Sequence, residues 1–201
     1  MKPYKEFDGR HSRRSTGAVY WPPALIESQS QQSAAGCYYR RSFFQFQDQI
    51  DEVAILSGSV YGTAEEVARH AQSLLNAAGF ETFYNSRASL ADLQAFGPEA
   101  LLGVTSTTGM GELPDNLQPL YSAIRDQLPA AWRGLPGGVI ALGDASYGDT
   151  FCGGGEQLRE LFGELGVREV QDMLRIDASE SVTPETDAEP WLEQLIATLK
   201  G

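Results

Sequence analysis

Val53-Ala54-Ile55-Leu56-Ser57-Gly58-Ser59-Val60-Tyr61-Gly62-Thr63-Ala64-Glu65 joins four apolar residues to a turn of glycines and hydroxyls, and the turn to an amphipathic stretch. A short apolar run bounded by turn formers has the length of a strand buried on both faces. Beyond the turn, Ala64, Val67, Ala71, Leu74 and Ala78 recur at helical spacing, and Gly79 supplies the stop. The turn itself is suited to an anion. Its successive amides and the positive end of the helix dipole converge on whatever lies above them, and no cation is required. The hydroxyls of Ser59 and Thr63, with amides near Tyr61, Gly62, Thr63 and Ala64, can surround a phosphate monoester; Ser57 and Val60 complete the segment. The Gly-x-Gly-x-x-Gly spacing is missing, which argues against a dinucleotide pyrophosphate. A plain strand-to-helix turn with Ser/Thr caps has the same composition, so this stretch decides the fold before it decides the ligand.

Outward from it the alternation repeats. Phe80 to Tyr84 reads as a second strand, Leu90 to Phe96 as a short helix, and Leu101 to Val104 as a third strand. Leu117, Leu120, Tyr121, Ile124 and Leu128 share a helical face after an N-cap at Asp115 or Asn116. Gly138 to Leu142 is a fourth strand; Leu158, Leu161, Phe162 and Leu165 form a further helix face; Val170 to Ile176 is the fifth strand. Trp191, Leu192, Leu195, Ile196 and Leu199 face inward from a last helix. This alternation predicts an α/β three-layer sandwich, a five-stranded parallel sheet with helices on both faces. The common doubly wound order is 2-1-3-4-5, with its ligand crevice at the carboxyl ends of strands one and three.

Charge is unevenly spread. Residues 1–50 hold seven Lys/Arg and four Asp/Glu, a net of +3, whereas residues 51–201 hold eight against 23, a net of −15. So acidic a domain is repelled by nucleic acid and by anionic membranes, and it suits a basic protein partner. No run approaches the roughly 18 apolar residues of a spanning helix. Cys37 and Cys152 make no disulfide framework, which points to a reducing compartment and a cytoplasmic protein. The absence of lysine between Lys5 and Lys200 removes a Walker P-loop, Schiff-base chemistry and lysine-dependent receiver domains. Only His70 lies in the acidic segment, so no metal site and no catalytic residue is assigned. Residues 1–50 are dense in Gln and Ser and keep no period, so they read as a disordered extension before a domain spanning 51–201. An added docking arm through Tyr38, Tyr39, Phe43, Phe44 and Phe46 is the alternative.

Two more loops reach the expected crevice. After strand three comes Ser106-Thr107-Thr108-Gly109-Met110-Gly111-Glu112, in which glycines flank Met110 and let a peptide unit turn toward a ligand. After strand four comes Gly143-Asp144-Ala145-Ser146-Tyr147-Gly148-Asp149-Thr150-Phe151-Cys152, with Tyr147 as the aromatic plate and Trp132 as a weaker candidate for that role.

The ordered set Gly58-Ser59-x-x-Gly62-Thr63-Ala64-Glu65, Ser106-Thr107-x-Gly109-x-Gly111-x-x-x-Asp115-Asn116 and Leu142-Gly143-Asp144-x-Ser146-Tyr147-x-x-x-Phe151-Cys152-Gly153 resembles flavodoxins over about residues 52–200. It is also similar to the flavin mononucleotide (FMN) domains of diflavin reductases, and most to short bacterial flavodoxins of the MioC type. The resemblance implies FMN as cofactor. Ser59, Tyr61, Gly62, Thr63 and Ala64 would hold its phosphate, and Ser106, Thr107, Thr108 and Gly109 would border one side of the isoalloxazine. Gly143, Tyr147, Asp149, Phe151 and Cys152 would belong to the other side, with Tyr147 stacked on the ring. Tyr61 stands where relatives most often carry threonine, and Thr108 where many carry an aromatic residue or histidine. Glu112, Asp115, Asp144 and Asp149 lie in the loops expected around the ring, and unscreened acids there disfavour added negative charge and lower the potential. A Gly109 carbonyl turned toward N5 would favour the neutral one-electron-reduced flavin.

The implied function is a low-potential one-electron carrier rather than an enzyme. It would be a monomer working between a basic NADPH-dependent reductase and acceptor redox enzymes. A flavin-dependent NAD(P)H:quinone reductase is the alternative. A phosphatase of the layered type is set aside, because Cys152 and Arg159 are separated by six residues where that chemistry needs five.

Overall fold

A computed structural model describes residues 49–201 of the chain. The expected extension therefore lies outside the described residues except at its end, where Ile50 packs against the core. In chain order the elements are β1 (Glu52–Gly58), α1 (Thr63–Ala77), β2 (Glu81–Tyr84), α2 (Leu90–Phe96), β3 (Ala100–Ser106), α3 (Gln118–Gln127), β4 (Pro136–Gly143), α4 (Gly153–Leu165), β5 (Arg168–Glu169), β6 (Leu174–Asp177), α5 (Pro184–Asp187) and α6 (Glu189–Lys200).

All strands pair in parallel, in the order β2-β1-β3-β4-β5, with β6 also on β4. The expected order is thus present. The expected single fifth strand, Val170 to Ile176, is not: it is broken into β5, which pairs with Pro136 and Gly137, and β6, which pairs with Ile140 to Gly143. Between them Trp191 Nε1 donates to the Asp172 carbonyl (2.8 Å), a side chain taking the place of a strand neighbour.

Side chains alternate across the sheet because successive strand residues point to opposite faces. Val53 and Ile55 face α1 and α6, packing with Val67, Leu75, Leu192 and Leu195. Ala54 and Leu56 face α2, α3 and α4, packing with Leu93, Ile124, Leu158 and Phe162. The central strands β1, β3 and β4 are covered on both sides, and the loops at their carboxyl ends start from a fixed backbone.

Helix ends account for two local outcomes. α1 closes as the sequence predicts: the Gly79 amide donates to the Asn76 carbonyl (3.0 Å) and the Phe80 amide to that of Leu75 (3.1 Å), a Schellman pair with Gly79 at φ +99°. α3 does not start as predicted. Its N-cap is Leu117, with no side-chain cap, and Pro119 in the first turn needs no amide partner. Asn116 is freed for another task.

Candidate functional site

The loops after β1, β3 and β4 enclose a cleft of about 450 Å³ at the switch point of the sheet. Ser59, Val60, Tyr61 and Thr63 line it from the first loop, Ser106, Thr107, Thr108 and Gly109 from the second, and Gly143, Asp144 and Tyr147 from the third. Seven other expected residues do not line it: Ser57, Gly62, Ala64, Gly111, Asp149, Phe151 and Cys152. Leu142, Thr150 and Ala178 line it without having been expected. Ala178 follows β6, whose neighbour β4 carries Gly143; the Ala178 amide donates to the Gly143 carbonyl (2.8 Å). The loop after the last strand belongs to the same crevice by the same topological rule, and that was the signal available.

The first loop is organised by one hydroxyl. Ser59 Oγ accepts from the Gly62 amide (2.9 Å) and the Ala64 amide (3.3 Å). Gly62 is the N-cap of α1 at φ +94°, where a side chain other than glycine is strained although nothing crowds the space. The amides of Val60, Tyr61 and Thr63, all residues of the cleft lining, have no acceptor among the described residues. Ser59's own amide donates to Asn116 Oδ1 (3.1 Å), so the residue expected to cap α3 instead ties the second loop to the first. Ser57 is buried, its hydroxyl donating to the Ala64 carbonyl (3.4 Å), and it sits beneath the turn rather than in the cleft.

The second loop is a tight hairpin. The Thr108 amide donates to the Glu112 carbonyl (2.9 Å), and the Glu112 amide returns to Thr108 (2.8 Å). Its outer side rests on α4. Gly154 donates to Thr107 Oγ1 (3.2 Å), and Gln157 Nε2 donates to the Gly111 carbonyl (2.8 Å). A Cβ on Gly154 would lie 2.7 Å from the Ser106 carbonyl oxygen, so the glycines opening α4 let that helix touch the backbone beneath the loop. Neither Gln157 nor Gly154 stood out in the sequence. A glycine run reads as a turn unless its neighbour across space is known.

The third loop winds as a short 3-10 segment over Ala145–Thr150. Tyr147 is 66% exposed and lines the cleft, whereas Trp132 is 2% exposed in the core against α4 and is no plate for a ligand. Asp144 Oδ1 accepts from the Ser146 amide (2.8 Å). Bonds from the amides of Ser179 and Ala145 hold the Asp177 carboxyl below the usual range and pin the loop's start. Cys152, the N-cap of α4 at φ +59°, is wholly buried; burial pushes its thiol up to about 11, so it is a protonated core group near pH 7. Among the described residues there is no group of three or more His, Cys, Asp or Glu able to hold a metal ion. No helix among them is long and apolar enough to cross a membrane.

A parallel doubly wound sheet with an open, hydroxyl-lined cleft at its switch point defines an α/β protein of the class that binds ligands at the carboxyl ends of its strands. Residues 55–191 match the flavodoxin family model, and the chain belongs to the flavodoxin family. A solved cysteine-to-alanine mutant of flavodoxin from Pseudomonas aeruginosa is 79% identical, with a TM-score of 0.72, covering 75% of this chain and 99% of that one. Flavodoxin YqcA of Escherichia coli is 43% identical over 143 residues, 71% of this chain and 95% of that protein. Protein MioC of Escherichia coli is 36% identical over 149 residues, 74% and 99% of the two chains. Flavodoxins bind FMN and carry electrons rather than catalyse a reaction, so the quinone-reductase alternative gives way to the carrier reading.

Proposed function

We propose that this chain is a cytoplasmic, monomeric FMN carrier that takes electrons from a basic NADPH-dependent reductase and hands them to acceptor redox enzymes. The observation that carries the reading is the set of amides at Val60, Tyr61 and Thr63 that have no acceptor among the described residues, at the N-terminus of α1, in a cleft whose far wall carries Tyr147. That donor set fits a phosphate monoester without a cation. In this reading Ser59, Val60, Tyr61 and Thr63 hold the phosphate, with Gly62 and Ala64 keeping the turn in shape. Ser106 to Gly109 and Gly143 to Tyr147 flank the ring. Bound FMN supplies one-electron chemistry at a ring edge that the open cleft leaves reachable. Tyr147 covers a face and excludes water. Asp144 and Glu112 place negative charge at the ring's surroundings and oppose further charge there.

Residues 51–201 are proposed as a self-sufficient domain, because they supply a complete parallel sheet with an apolar core on each of its faces. A chain starting at Gln49 should fold and take up FMN like the full protein.

The first test is an absorption spectrum of the purified protein with FMN and, separately, FAD. Uptake of FMN with exclusion of FAD supports the reading, and protein that stays colourless with excess FMN sinks it. The partner reading is tested by electron-transfer rates from a basic reductase. The Debye length shrinks from about 10 Å at 0.1 M salt to ~3 Å at 1 M, so steered association should slow by about tenfold or more across that range. Asp115→Lys with Glu180→Lys, both exposed, one in the connection after β3 and the other two residues beyond the cleft-lining Ala178, should flatten the dependence while FMN stays bound. A rate indifferent to salt would remove the docking role of the acidity.

A further inference from the structure

We propose that Glu112 is a positioning residue of the cleft, its carboxylate fixing the orientation of the Gly109–Met110 peptide that forms part of the ring-side wall. The proposal rests on the FMN reading above for its consequence, but not for its geometry.

Glu112 Oε2 accepts from the Met110 amide, inside the five-residue hairpin that Glu112 and Thr108 close with their own backbones. A Cβ on Gly109 would collide with this carboxylate, so the space next to the peptide is already taken by Glu112. No peptide bond among the described residues is cis. In a trans peptide the N–H and C=O point in opposite directions, so an amide held on Glu112 turns the Gly109 carbonyl away from it. One acceptor therefore sets both polar groups of a peptide that borders the cleft.

The rest of the loop is held by different groups. Gln157 fixes the Gly111 carbonyl, Gly154 the Thr107 hydroxyl, and the Thr108 hydroxyl donates to the Glu112 carbonyl (3.2 Å). Among the described residues the Met110 amide has Glu112 alone as partner. Met110 itself is 80% exposed and contributes no packing that would hold the peptide. Removing the carboxylate thus frees this one peptide while the hairpin stays closed. It also explains why an acid at the rim of an electron-carrying cleft can act through the backbone as well as through its charge.

Glu112→Gln and Glu112→Ala separate the two roles, since the Gln amide oxygen keeps an acceptor and loses the charge. In the full-length protein without flavin, amide hydrogen exchange at Met110 should quicken by about tenfold in Glu112→Ala, the scale of one charge-assisted hydrogen bond, and change little in Glu112→Gln. Exchange at Thr108 and Glu112 should stay as in the parent. With FMN, the affinity and the separation of the two one-electron midpoint potentials should move in Glu112→Ala and be largely rescued in Glu112→Gln. Equal shifts in both variants would mean that charge alone acts, and would overturn the positioning role. So would unchanged Met110 exchange in Glu112→Ala. If FMN fails to bind the parent protein while Met110 exchange responds as stated, the cofactor reading fails and the peptide clamp stands.

Discussion

The loop after β1 takes its shape from Ser59, which accepts two amides of its own turn, and leaves three further amides without an acceptor among the described residues. The loop after β3 takes much of its shape from outside, through Gly154 and Gln157 of α4, and adds its own Glu112 side chain to hold one peptide. On the proposed FMN reading, the contrast follows from what each wall has to do. A phosphate site needs free donors, and a local serine can hold the turn without consuming all of them. A wall beside a flat ring needs a fixed surface, and this glycine-bearing hairpin acquires one by leaning on a rigid helix and by its own internal bonds. The two walls are then joined by bonds from Ser59 N to Asn116 Oδ1 and from the Ser106 hydroxyl to the Gly58 carbonyl.

The comparison breaks first at α4. Gly154→Val would push a side chain into the Ser106 carbonyl oxygen, 2.7 Å from the built Cβ, and should cost about 3 kcal/mol of stability by overpacking. A denaturant titration reads it. A loss under about 0.5 kcal/mol would show that the helix does not bear closely on the loop.

Cys152, whose thiol lies against Ala141 and Gly143 of β4, gives a pH signature. Its folded thiol is raised from 9.0 to about 11, so the folded state favours the neutral form. The contribution is whole below about pH 9 and is lost as pH rises through about 11, on the order of 2–3 kcal/mol. Stability of the parent should therefore fall more steeply over that window than stability of Cys152→Ala. Parallel curves would place the thiol in contact with water.

Tyr147→Ala should weaken FMN binding by roughly 1–3 kcal/mol through lost aromatic burial and stacking, with folding unchanged because the side chain is mostly exposed in the free protein. Titration by flavin fluorescence measures it, and unchanged affinity would move the plate elsewhere in the cleft.

Ser59→Ala is the smallest and sharpens the contrast most. It removes the acceptor of two amides, and should lower stability by about 1 kcal/mol, as loss of a helix cap does. If the phosphate occupies this turn, FMN should restore part of the lost stability by satisfying the same amides. A stability gap that FMN leaves untouched would argue that the phosphate does not sit there.

The sheet was legible because burial on two faces imposes its own signature on a chain. Val53 to Leu56, Leu101 to Val104 and Gly138 to Leu142 could be nothing but strands between helices, and the doubly wound order follows from connection rules. The position of the crevice and most of its lining followed from that order. Residues whose role depends on a neighbour distant in sequence were not legible. Asn116 has the composition of a cap, yet it bonds to Ser59, 57 residues away, because α3 begins two residues later on a proline turn. Cys152 and Phe151 share the third loop with Tyr147, but the left-handed turn at Cys152 sends the thiol into the core. Val170 to Ile176 has the apolar content of one strand, and only Trp191, packing from α6 against Gly138 and bonding to Asp172, accompanies its division into two. Local pattern determined which segments become strands and helices, since burial acts on each residue's own side chain. The tertiary structure decided which polar atoms meet, since a hydrogen bond needs two partners and the sequence states the distance between them only along the chain.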